Sequence, residues 1–112
     1  KLPELTEAAR AISLQDSGAT IEDRYIFDGA GLEVEEAFMT WQNVEIEGSV
    51  ARVVTDTGIL EIRVDQGVFA AERLDEVCKA NRKSGVLTRL TVTYPAAPSI
   101  AARYTMAFRP KP

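Results

Sequence analysis

The sequence predicts an all-β fold, an antiparallel β-sandwich of about eight or nine short strands. Three observations predict it. Apolar and polar residues alternate with period two in several separate runs, as strands with one buried face require. Clusters of Gly with Asp or Ser recur between those runs, at Asp16-Ser17-Gly18, Asp28-Gly29-Ala30-Gly31, Glu47-Gly48-Ser49, Asp56-Thr57-Gly58 and Asp65-Gln66-Gly67. These supply the backbone freedom and short polar side chains that tight turns use. The length, 112 residues, fits one domain with one core and leaves no room for two.

Strands are expected at 9–14, 19–28, 33–42, 44–47, 50–55, 59–64, 68–73, 86–94 and 99–109. Before the first of them, Leu2 to Ala8 reads as a helical turn led by Pro3 or as a loop. In the second, Ile21, Tyr25 and Phe27 share a face, and Asp23 falls in phase with them; buried there, it needs a partner. Leu60, Ile62 and Val64 alternate with Glu61 and Arg63. Leu74, Val77, Cys78 and Asn81 have helical spacing, with acids early, bases late and Gly85 beyond. The stretch 74–83 therefore reads as a short helix or as a long connection. Val86, Leu90, Val92 and Tyr94 form the next apolar face, interrupted by Thr88, and Pro95 to Pro98 ends that strand. The clearest alternation comes last: Ile100, Ala102, Tyr104, Met106 and Phe108 against Arg103, Thr105 and Arg109.

Composition restricts the chemistry. Hydrophobic residues at 46% and charged residues at 27% match an ordinary globular domain, and no apolar run is long enough for a membrane-spanning helix. There is no histidine and one cysteine, Cys78. That excludes His-assisted nucleophilic catalysis, a Cys/His zinc site and an internal disulfide. No phosphate-binding glycine loop or zinc-protease motif is present, and no cofactor is expected. The start on Lys1 rather than Met is expected of a processed or excised piece.

The net charge of -4 hides an asymmetry. Residues 25–51 carry six acids and no base, whereas Val77 to the end carries seven bases and no acid. Cross-strand ion pairing within the fold is the favoured reading over an anionic partner. A nucleic-acid partner is not expected of an acidic chain without a dense basic patch.

Several groups are candidates for chemistry. Glu45 and Glu47 share a strand face about 7 Å apart, as Glu33 and Glu35 do; that spacing resembles a glycosidase pair, and a solvated acidic face explains it more simply. Glu35 and Glu36 are adjacent, so they point to opposite faces. The turn aspartates would need to converge to hold calcium. Tyr25, Tyr94 and Tyr104 fall on apolar faces, which predicts core packing with the hydroxyls at the surface. Trp41 is out of phase with Phe38, so one of the two is expected to be exposed or to contact a neighbouring domain. Trp41, Arg103 and Arg109 are the candidate contacts for a carbohydrate or another domain.

The segments Ile21-Glu22-Asp23-Arg24-Tyr25-Ile26-Phe27, Val34-Glu35-Glu36-Ala37-Phe38-Met39-Thr40-Trp41, Leu60-Glu61-Ile62 and Ser84-Gly85-Val86-Leu87 resemble the C-terminal β region of heparinase II/III-like polysaccharide lyases. The resemblance runs from Ala9 to Leu90. It implies a C-terminal fragment of a larger protein that eliminates across uronic-acid polysaccharides, with a periplasmic or extracellular location. The family's catalytic Asn, Tyr and His groups belong to a helical toroid and the start of the β region, upstream of Lys1. No position here matches that motif, so no catalytic residue is carried over. The role implied for this chain is a noncatalytic accessory sandwich packed against the upstream domains. The alternatives are an independent carbohydrate-binding module for acidic polysaccharide and an immunoglobulin-like module with a protein partner.

Overall fold

A computed structural model of the chain describes residues 4–74 and 87–111. They include nine strands: β1 (Leu5–Gln15), β2 (Gly18–Phe27), β3 (Val34–Thr40), β4 (Asn43–Glu47), β5 (Val50–Val54), β6 (Gly58–Val64), β7 (Ala70–Arg73), β8 (Thr88–Tyr94) and β9 (Ser99–Pro110). Two antiparallel sheets result, one of six strands in the order β1-β2-β9-β6-β5-β4, the other of three in the order β3-β8-β7. The fold is the all-β sandwich that the alternation predicts, and no described residue is helical. The helix-or-loop alternative at 74–83 lies, apart from Leu74, outside the described residues, as does Cys78.

The sheets are held together by the predicted faces. Phe27, Ala51, Val53, Ile62, Val64, Ile100, Ala102 and Tyr104 of the large sheet are buried against Leu90, Val92 and Tyr94 of the small one. Phe38 on β3 sets its ring edge-on to Tyr104 on β9, with centroids 5.0 Å apart at an interplanar angle of 79°. This is the preferred aromatic geometry across a sandwich interface. Gly31, after β2, is required where it stands. Its φ of +83° lies in the left-handed region, and a Cβ there would run into the carbonyl of Ala97.

Two differences from expectation concern the first strand. It begins at Leu5, so part of the stretch read as a helical turn or loop is extended. Glu7, Ala8 and Ala9 have little intrinsic strand preference; what extends them is pairing with β2 along the whole hairpin, Ala8 opposite Tyr25 and Ala9 opposite Arg24. The second difference is burial. All 11 residues of β1 are exposed. β1 is an edge strand of the six-stranded sheet, and the described residues leave it uncovered.

Candidate functional site

The most concentrated chemistry lies between the sheets, at the β1 side of the core. Arg10 and Asp23 are direct cross-strand partners in the β1–β2 register. The Arg10 Nε donates to Asp23 Oδ1 at 2.6 Å and its Nη2 to Oδ2 at 2.7 Å, a bidentate charge-assisted pair. Asp23 is only 3% exposed, so this is the partner that its place on the apolar face demands. Glu36 approaches from β3 of the opposite sheet and is 7% exposed. Its Oε2 accepts a hydrogen bond from the Tyr25 hydroxyl at 2.6 Å, and its Oε1 is buried with no partner. Beside it, the Tyr94 hydroxyl donates to that of Tyr104 at 3.1 Å.

The two carboxyls are driven apart in acidity. Hydrogen bonding to the Arg10 guanidinium holds Asp23 below the usual carboxylate range. Burial, reinforced by the neighbouring Asp23 carboxyl, raises Glu36 above it. Burial also raises Tyr25, Tyr94 and Tyr104, so none of these phenols is poised to act as a base near neutrality. The hydroxyls therefore do not end at the surface, where their pattern predicts them. They form a buried network with Glu36. Arg10, Asp23 and Tyr25 also line a surface cavity of about 260 Å³ with Ala8 and Ala9.

Glu36→Gln keeps the acceptor for Tyr25 and removes the group that resists ionising in this pocket. We expect it to stabilise the fold at neutral pH by about 1–2 kcal/mol, the lower part of the cost of an ill-satisfied buried polar group. Urea titration of both proteins followed by circular dichroism measures it.

The three contact residues singled out from sequence lie elsewhere. Trp41 sits between β3 and β4 and is 49% exposed. With Asn43, Val44, Ala71 and Thr88 it lines a depression of about 550 Å³. Arg103 and Arg109 point outward from β9. Arg103 approaches Glu22 at 3.5 Å, and its N–H donates to Asp65 Oδ1 at 3.2 Å. Arg109 lies 3.9 Å from Glu61, a carboxylate shared with Arg63 at 2.9 Å and Arg52 at 3.5 Å. The register Arg109–Ile59–Val54–Asn43 sets Trp41 and Arg109 at the same end of the large sheet. The three strand spacings between Asn43 and Arg109 amount to about 14 Å, and Arg103 lies about 20 Å further along β9 by the strand rise. The fold thus distributes these side chains and does not gather them around one ligand.

The outer face also explains the charge asymmetry. Arg89 pairs with Glu35, Arg103 with Glu22 and Arg109 with Glu61, so bases from the end of the chain meet acids from earlier strands. Glu45 and Glu47 are both exposed. Glu47 comes within 3.4 Å of Arg52. Among the described residues no group of three or more Cys, Asp or Glu is arranged to hold a metal ion.

One signal for the buried cluster was present in the sequence: Glu36 alternates in phase with Val34 and Phe38, as Asp23 does with Ile21 and Tyr25. No family model matches the chain, and no curated protein matches it either.

Proposed function

We propose that this chain is the noncatalytic C-terminal β-sandwich of a heparinase II/III-like polysaccharide lyase, and that it packs against catalytic domains upstream. The observation that carries the reading is the bare inner face of the β1–β2 hairpin. Ile12 is 59% exposed and Leu14 81%, although their strand phase points them to the core side, next to Ile21 and Ala19. Ala19 in turn pairs with the half-buried Met106. An apolar ledge continuous with a core is the kind of surface that neighbouring domains cover. The buried Asp23–Glu36 cluster fits a structural part, because its carboxyls are spent on Arg10 and Tyr25 inside the fold.

The test is the size of the native product, measured with an antibody raised to this domain on source-cell extract and medium. A band several times larger than 12.3 kDa, with no unsaturated uronate formed by the purified chain, is the expected result. A free band near 12.3 kDa without a precursor overturns it. Half-exposed Trp41 beside its depression favours, as second reading, an independent carbohydrate-binding module. Titration with acidic glycans at two salt concentrations tests that reading; binding unchanged by Trp41→Ala with Arg103→Ala counts against it.

A further inference from the structure

We propose that a proton on Glu36 latches β3 to the six-stranded sheet, so that a rise from acid to neutral pH lets β3 open by itself. The latch goes beyond the reading of the chain as an accessory sandwich and does not rest on it.

β3 has a weak hold on the facing sheet. It is an edge strand, paired only with β8, and it turns Val34, Glu36 and Phe38 inward. Val34 and Phe38 are partly buried. The deepest of the three is the carboxyl, 7% exposed. On the outer face Glu35 pairs with Arg89 of β8, which fastens β3 within its own sheet and not to the other one.

As an anion, Glu36 meets no cation. Of the buried carboxyls among the described residues, Asp23 holds Arg10, and Glu61 lies within 4 Å of Arg63, Arg52 and Arg109; Glu36 has no such partner. The polar groups that face it are Asp23 and the Tyr25 hydroxyl from β2 and the Tyr104 hydroxyl from β9, to which Tyr94 of β8 is bonded. From β1 comes Arg10, whose Nε and Nη2 are both committed to Asp23. On its own sheet Glu36 stands opposite apolar Val92. Its Oε2 accepts from Tyr25, but Oε1 is buried and accepts from no group. A carboxylate oxygen left in that state is costly, and an anionic Asp23 beside it adds repulsion. A carboxylic acid removes both faults, because the charge is gone and Oε1–H has the Asp23 carboxylate as an acceptor. The upward displacement of Glu36 by burial agrees with this.

The latch has a definite sign. Once β3 opens, Glu36 is solvated and ionises at its ordinary 4.5, so opening releases a proton at any pH between that value and the raised one. The opening constant therefore climbs about tenfold per pH unit through this window and levels off above it. Asp23, held below its ordinary 3.8, stays ionised throughout. The chain has no histidine, the usual carrier of a response in this range.

Amide hydrogen exchange of the 112-residue chain, resolved by NMR from weakly acid to neutral pH with and without low urea, tests the latch. After correction for intrinsic rates, protection of the β3 amides is expected to fall about tenfold per pH unit and then level off. It should not respond to low urea, because a local opening exposes little surface. Amides of β9, inside the large sheet, should be better protected and lose protection as urea is added. Glu36→Gln keeps the acceptor for Tyr25 and cannot ionise, so its β3 protection should be independent of pH. Protection of β3 that ignores pH in the unaltered protein, falls as steeply in Glu36→Gln, or responds to urea as β9 does overturns the proposal. None of these outcomes depends on the size of the native product.

Discussion

Leu90→Ala is expected to remove about 3–5 kcal/mol of stability, the upper part of the range for deleting a buried leucine side chain. Leu90 is fully buried on β8, the central strand of the small sheet. Phe38 on β3 and Ala71 on β7 flank it in register. A cavity at this point cannot close easily. The flanking strands are fixed by their hydrogen-bond ladders, and Phe38 is fixed by its edge-on contact with Tyr104. Interiors packed to crystal density relax only partly around a missing group, so most of the cavity cost remains. With a total stability on the order of 5–15 kcal/mol for a domain of this size, the variant will be marginal. Urea unfolding followed by far-ultraviolet circular dichroism measures the difference as a shift in midpoint at constant slope. Fluorescence is the poorer probe, since the one tryptophan, Trp41, is 49% exposed in the native state.

How far the sequence reveals this architecture depends on the range of the forces involved. Strand phase is local, because a buried face imposes alternation on consecutive residues. Ile100, Ala102 and Tyr104, with Ile62 and Val64, are accordingly buried as their pattern predicts, whereas Phe108, near the end of β9, is exposed. Strand order is not local. The last strand, β9, lies between β2 and β6, and that insertion sets the distance of its arginines from Trp41. That one of Trp41 and Phe38 is exposed was therefore legible, but which of them, and the distance of Trp41 from the two arginines, was not. The polar cluster stands between these cases. Phase alone puts Asp23 and Glu36 on inner faces, yet only the stacking of β3 over β2 brings Glu36 to the Tyr25 hydroxyl. The extent of β1 was illegible for a different reason: Ala and Glu carry little strand signal, and pairing with β2 overrides it.

Arg10→Met is expected to cost about 2–3 kcal/mol at neutral pH, below the 3–5 kcal/mol typical of breaking a fully buried pair. Two effects set that size. Asp23, 3% exposed, loses both hydrogen bonds from the guanidinium and faces Glu36 with no positive charge between them and solvent. Against this, the Arg10 side chain is itself 56% exposed, so water reaches the vacated position and screens part of the loss. The dependence on pH identifies the cause. Because Asp23 titrates below its ordinary value of 3.8 in the fold, its contribution is present above that value and disappears as pH falls through the lowered one. The deficit of Arg10→Met should therefore vanish in acid, where Asp23 is protonated in both proteins. Glu36 acts in the opposite sense. Raised above its ordinary 4.5, it contributes fully below that value, and the contribution is lost as pH rises through the raised one. Together the two carboxyls favour an acidic optimum, bounded by the loss of Asp23 below and of Glu36 above. Urea midpoints measured from acid to neutral pH should show that optimum in the unaltered protein. Glu36→Gln should flatten its upper limb, and Arg10→Met should lower the curve at neutral pH but not in acid. A deficit in Arg10→Met that stays constant across this range would mean that the arginine stabilises through its aliphatic stem and not through its charge.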